Sequence, residues 1–500
     1  MPRLLLCALL LAVPAGAQPQ AGAVLQVALP GAAHAGPADG SALRPFPTIA
    51  AAVLAAHDGD TLQLGAGDYS EAVLLDRPLT LRGLGAALTR LVAPPESRWP
   101  KDPEVPVLRL RGDGPVALSG FTVLEGAVGV EIVGSGEPAP GAPWRAIAPG
   151  PSHLLTDVSF ERQYLTGLRL RGTRVVYRGG VLSEIGPRMV GLGIEAWGSR
   201  LEASGLSLRR IGRRGLELRA TVALLEGLTA TPAGPSALQV LDGCDVVVRG
   251  GRFTGHSGAA LFVAGARLRL EGVHLEDNDY GALASRGATL ELEGGEVLGH
   301  RVAGVAYVNS GGALRRTHLS RGGTEAALSV LQSTGLVLLE DVRIDAPGPN
   351  GLHLTRATLV LRRSEIKGAS RDRQGDFGDG IYALESDLLL DRSTLSANAG
   401  TGVTLNRSAL QIIGTLLEGN GSAGIWLTER SSLRATGNRF TGNRSGIEVA
   451  ELSTASLGGN RFSGNKEFGV DGACGQSQVL ELLQGNSFEG KAGTAQRRCP

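Results

Sequence analysis

Residues 369–379 read Ala-Ser-Arg-Asp-Arg-Gln-Gly-Asp-Phe-Gly-Asp. Asp372, Asp376 and Asp379 place three carboxylates beside the guanidiniums of Arg371 and Arg373. Carboxylate oxygens are the ligands Ca²⁺ takes, so this set is a candidate Ca²⁺ site. An Arg fork can also meet a ligand carboxylate through two hydrogen bonds. A second set recurs at nearly even spacing: His353, Tyr382, Thr404, Trp426, Glu448 and Asp471, with steps of 29, 22, 22, 22 and 23 residues. Flat phenol and indole rings suit the apolar faces of sugars. Glu448 and Asp471 can accept hydrogen bonds from hydroxyls or handle a proton. These residues act together only if the chain stacks them into one column.

The spacing comes from an internal repeat. Units opening at Gly402, Gly424 and Gly446 align over 22 to 23 residues. The same unit walks back through Gly167, Gly191, Gly215, Ala237, Ala260, Gly281, Gly304, Ala327, Gly351 and Gly380, and forward to Gly469. A fixed period of this length marks a solenoid. Each unit holds three short apolar pieces that alternate like strands, such as Val403 and Leu405 or Ile425 and Leu427. Three strands and three turns make a coil, and successive coils pair in parallel. Phe440, Phe462 and Phe488 then share a column, as do Asn438, Asn460 and Asn486, and Asn420, Asn443 and Asn465. Asn tolerates the left-handed turn conformation, and its amide can bond its counterpart one coil away. Parallel crossovers are right-handed, so the fold class is all-β, a right-handed parallel β-helix solenoid. The 74 glycines among 500 residues suit a chain that turns so often, and aromatics at 4% suit a narrow interior.

The ends suggest export. Met1-Pro2-Arg3, the apolar run from Leu4 to Val13 and Ala15-Gly16-Ala17 form a secretory signal-peptide pattern over residues 1–17. Cys7 follows Leu6 rather than a small residue, which argues against a lipid anchor. The expected location is secreted, periplasmic or cell-surface. In an oxidising compartment Cys474 and Cys499 can pair and pin the tail, contributing about 3 kcal/mol. Cys244 reads as a small inward residue. The remaining layout is 18–60 as N-terminal segment with a capping helix, 61–490 as the solenoid and 491–500 as the tail.

Residues 47–91 add a resemblance. Pro47 and Thr48 before Ile49 and Val53, then Gly59-Asp60-Thr61 and Gly67-Asp68-Tyr69-Ser70-Glu71, are similar to the entry of pectate-lyase-like β-helix proteins. The resemblance implies a short helix over the open first coil, and substrates lying along one strand ladder beside its longer loops. It also implies that Ca²⁺ with arginine could acidify a uronate for proton abstraction. The catalytic segments of pectin methylesterases, polygalacturonases and alginate epimerases are missing. Gly419 to Gly424 matches a dinucleotide motif by letter only, because no helix follows to receive a pyrophosphate.

A net charge of +1 argues against nucleic acid as a bulk partner. Residues 162–219 nevertheless hold twelve Arg and four Glu, with Arg209, Arg210, Arg213 and Arg214 around one turn. They read either as a solvated rim or as a contact for an acidic polysaccharide. His256, His274, His300 and His318 recur near turns and read as turn residues rather than metal ligands. The leading functional reading is a non-catalytic exported β-helix that binds polysaccharide or has a structural role at the cell surface. The alternative is a Ca²⁺-dependent lyase or epimerase acting on a uronate polymer. A third is an accessory periplasmic protein like those of nitrous-oxide-reductase maturation, though Met1 and Met189 are its only methionines.

Overall fold

Every coil turns three corners, and at each corner one residue takes a left-handed backbone. One such column runs Gly272, Gly294, Arg316, Asp341, Arg363, Arg392, Gly414, Gly437 and Gly459, with φ between 46° and 70°. Glycine adopts this region freely, and other residues enter it one at a time at some cost. The corners bend the chain into three ladders of parallel strands in this computed structural model. It describes residues 22–29, 37–95, 105–112, 114–135, 152–186, 190–232, 234–450, 452–472, 479–482 and 484–489. The 1–17 leader pattern and the 491–500 tail lie outside them.

The first ladder runs from Val73–Leu75 to Phe468–Gly472 and holds 17 strands among the described residues. The second and third ladders form one sheet, joined at the long strands Ala117–Leu124 and Ser152–Glu161, which pair into both. Most first-ladder strands are six residues long and most third-ladder strands three. The sheet also starts ahead of residue 61, because Val24–Val27 pairs in parallel with Thr61–Leu64.

The interior fills in columns. Phe440, Phe462 and Phe488 stack with ring centroids 4.8 Å apart at 8° and 7°, the row spacing of a sheet. The opening glycines are steric. A Cβ on Gly424 would meet Gly446 O at 2.6 Å and the Phe440 ring at 2.9 Å. The Asn columns bond as expected. Asn420 Nδ2 donates to Asn443 Oδ1 at 2.9 Å, and Asn438 Nδ2 to Asn460 Oδ1 at 3.0 Å. His256 and His300 extend a corner column upstream through Asn278, and both are buried. His274 and His318 instead stand outward, against Glu296 and Asp345.

One short helix is described, Ile49–Ala55, with Thr48 Oγ1 accepting from Ala51 N. The Gly67–Glu71 segment explains itself here. The Tyr69 hydroxyl donates to Val27 O at 3.0 Å, and the Glu71 carboxylate accepts from Ile49 N and Ala50 N at 2.8 and 3.0 Å. That carboxylate meets the free amides of a helix start.

Two measurements probe this interior. Phe462→Ala removes the middle ring of the stack and should cost about 3–5 kcal/mol in denaturant unfolding. A loss below about 1 kcal/mol would mean that the stack is not supporting the coils. Burial pushes His300 and His153 down to about 4. The folded state then resists a proton that the unfolded chain accepts near the ordinary histidine value. Stability should be full above pH ~6.5, fall towards pH ~4 and level off below, by on the order of 3 kcal/mol per histidine. Asn holds the same column at 278, so His300→Asn should gain on the parent across that window. Parallel urea curves for the two proteins at pH 7.5 and 4.5 would contradict this.

Candidate functional site

The column proposed from the repeat is a real register. His353, Tyr382, Thr404, Trp426, Glu448 and Asp471 pair strand to strand in the first ladder. Each stands between inward neighbours, as His353 does between Leu352 and Leu354, so strand alternation turns it outward. Thr404 is buried at 5% exposure, whereas Trp426 stands 42% exposed. No neighbouring loop covers the indole fully. His353 and Tyr382 meet edge-on, with centroids 5.3 Å apart at 69°. Glu448 pairs with Arg444 at 3.2 Å.

The insertion packs beside this column. Its acidic residues do not form the expected Ca²⁺ set. Asp372 Oδ1 accepts from the backbone amides of Gln374 and Asp376 at 3.0 and 2.8 Å, which closes the loop on itself. Asp379 is buried at the start of its strand and accepts from Thr401 N at 2.6 Å. Burial raises its carboxyl, and the Thr401 amide and Thr404 hydroxyl pull it back. Among the described residues no three His, Cys, Asp or Glu side chains gather closely enough to hold a metal ion. Arg371 donates to Gly375 O at 2.8 Å, within the loop, and Arg373 is exposed.

What the insertion does build is a cleft of about 360 Å³. Its lining includes Thr324, Glu325, Ser329, Asn350, His353 and Phe377. Phe377 is 47% exposed and holds φ at 62°, an uncommon conformation for a bulky side chain. Desolvation pushes His353 down from the ordinary histidine value, and the Glu325 charge pulls it partly back. Its imidazole is therefore neutral at pH 7 and can donate with one nitrogen and accept with the other. A larger depression of about 500 Å³ lies on the second ladder, lined by Asp387, Gln411, Ser432, Arg434 and Thr454 among others. It has no imidazole or aromatic ring, so the chemistry concentrates at His353. Reading by charge passes over Glu325 and Phe377. The one usable signal was a phenylalanine inside an extruded polar loop.

The N-terminal half corrects one coil. The glycine in register is Gly193, not Gly191, and the outward residue there is Glu195. Arg169 joins Glu195 at 2.8 Å and Glu131 at 3.7 Å, and Arg109 joins Glu131 at 2.8 Å. At the arginine-rich turn, Arg210 pairs with Glu184 and Arg214 with Glu217. Cys474, Cys499, Trp99 and Trp144 lie outside the described residues. Cys244 is buried, its sulfur accepts from Thr221 N at 3.3 Å, and burial pushes the thiol up to about 11. Alkylation of the native protein followed by peptide mapping should find Cys244 unmodified until denaturant is added. Ready labelling under native conditions would contradict its burial.

Residues 326–488 match the family model described as a right handed beta helix region. The three ladders of parallel strands extend that architecture to both sides of the matched residues. Three solved structures are similar to it. The A-module of the Azotobacter vinelandii mannuronan C-5 epimerase AlgE6 is 14% identical, covers 87% of this chain and 92% of its own, and gives a TM-score of 0.25. The PL6 family alginate lyase AlyGC is 11% identical over 93% and 100%, with a TM-score of 0.24. Tailspike protein 3 of bacteriophage CBA120 is 10% identical over 85% and 56%, with a TM-score of 0.25. Identities and scores this low say nothing of what this chain acts on. No curated protein matches the chain by sequence.

Proposed function

We propose that this protein is exported and binds a polysaccharide along the outward column of the first ladder, anchored at the His353 cleft. The observation that carries the reading is the uninterrupted register from His353 to Asp471, with an exposed indole at Trp426. An exposed large aromatic on a strand costs solubility and asks for a partner. Tyr382 and Trp426 lie two coils apart, roughly 9.6 Å along the axis, which suits consecutive sugars of one chain. The leader-like pattern at Met1 to Ala17 supports export. No described helix is long and apolar enough to cross a membrane. A Ca²⁺-dependent lyase would need acidic ligands brought together, and Asp372 and Asp379 are turned to backbone amides instead.

Trp426→Ala and Tyr382→Ala should each weaken glycan binding at least tenfold with little change in thermal midpoint. Gln411→Ala, on the second ladder, should leave binding unchanged. Variants that fold normally and bind glycan arrays as the parent does would remove the column from the reading. Release of unsaturated uronate products, with or without Ca²⁺, would replace binding with lyase activity.

A further inference from the structure

The cleft at His353 differs from the rest of the surface in its charge. Outer-face carboxylates on this protein are mostly tied to cations. Glu340 pairs with Arg363, Glu385 with Arg356, and Asp345 with Arg343 and His318. Glu325 is exposed in the cleft wall and makes no ion pair among the described residues. Its field reaches both His353 and Tyr280. Neither arginine nor lysine lines the cleft. Arg371, on the neighbouring loop, is bonded to a carbonyl of that loop.

The strands around the cleft carry no basic residue of their own, though Glu448 is paired with Arg444 from the turn before its strand. From Asn350–Thr355 to Phe468–Gly472, six first-ladder strands hold Asp379, Glu448 and Asp471 and no arginine or lysine. The basic strands lie far away. From Pro106–Arg111 to Arg214–Arg219, five first-ladder strands hold six arginines and three glutamates.

We infer that the His353 cleft takes a neutral or amine-bearing sugar and turns uronates away. The inference rests on the glycan-binding reading of this column. A pyranose face would lie on Phe377, whose exposed ring and neighbouring Leu331 form the apolar floor. Thr324, Ser329 and the neutral His353 are hydrogen-bond partners for ring hydroxyls, and all three line the same space. A uronate carboxylate entering there would meet Glu325 with no cation among the residues that line the cleft, and like charges brought together oppose binding. A sugar ammonium would meet in Glu325 an acceptor that no arginine already occupies.

The test is calorimetry of the full chain at low salt, where surface charges are least screened. Three probes of equal length are used: a neutral gluco-oligosaccharide, a glucosamine oligomer and a galacturonate oligomer. The parent should bind the first two, with the galacturonate oligomer at least tenfold weaker. Glu325→Gln should lower glucosamine binding to the level of the neutral probe, strengthen galacturonate binding at least fivefold and leave the neutral probe unchanged. Phe377→Ala should weaken the neutral and glucosamine probes together. Galacturonate bound as tightly as the neutral probe, or a ranking unmoved by Glu325→Gln, overturns the inference and leaves the glycan-binding reading standing. Failure of all three probes to bind the parent overturns both.

Discussion

Everything else in this structure depends on what becomes of the corner amides. Strand amides find carbonyls one coil away, but a corner amide points along the axis where the backbone has turned. A buried amide without a partner costs about 1–3 kcal/mol. Here the side chain of the next coil accepts instead. Thr173 N finds Ser199 Oγ, Ser199 N finds Thr221 Oγ1, and Thr221 N finds Cys244 Sγ. Downstream the same chain runs Ala357, Ser386, Ser408, Ser431 and Ser453. Another corner uses Ser364, Ser393, Thr415, Asn438, Asn460 and Asn486. Cys244 thus belongs to a hydroxyl column, with sulfur as a weak acceptor in place of oxygen.

This requirement makes the repeat intolerant in one dimension and permissive in the other. A slip of one residue would take every corner acceptor away from its amide and turn the inward leucines out. Extra residues between columns cost little, because loop closure grows slowly with length. The 29-residue step at the insertion shows both effects. Ala369 N still finds Asn398 Oδ1 at 3.1 Å, and Asp379 N still finds Asn350 Oδ1 at 3.3 Å. The added residues leave the coil between those two bonds and return in register. The outward column crosses the insertion intact for that reason, and Phe377 is carried to the rim of a cleft.

The columns were legible in the sequence because their chemistry is repetitive. The Asn ladders, the Phe stack and the outward stripe all follow from one period and strand alternation. The reading slipped at Gly191 because two glycines lie two residues apart there, and a letter pattern cannot choose between Gly191 and Gly193. The ladder can, since a Cβ on Gly193 would meet Gly215 of the next coil, whereas one on Gly191 would meet Ile185 O in its own turn. The carboxylates of the insertion were misleading for a different reason. Composition gives their number, whereas their directions depend on which backbone amides a loop leaves open. Asp372 faces its own turn and Asp379 faces Thr401. Left-handed corners occupied by Arg363, Arg392 and Arg407 were also hidden, since glycine is the residue that announces such a position.

Charge is where the solenoid leaves room for function. Interior columns admit mostly apolar, amide and hydroxyl side chains, so variation between coils is expressed outward. In the N-terminal coils the outward glutamates are sunken under arginines, as Glu131 is at 8% exposure between Arg109 and Arg169. Burying the Glu131 carboxylate costs solvation, and the attraction regained from Arg109 and Arg169 offsets that cost. Around His353 the outward strand positions lose their arginines while keeping a ring pair, a hydroxyl and an indole in register. Near His353 the rings and hydrogen-bond partners stand clear of ion pairs, and Glu448 further along is held by Arg444. One ladder therefore holds two surfaces, one closed on itself by salt bridges and one whose strands carry no arginine or lysine.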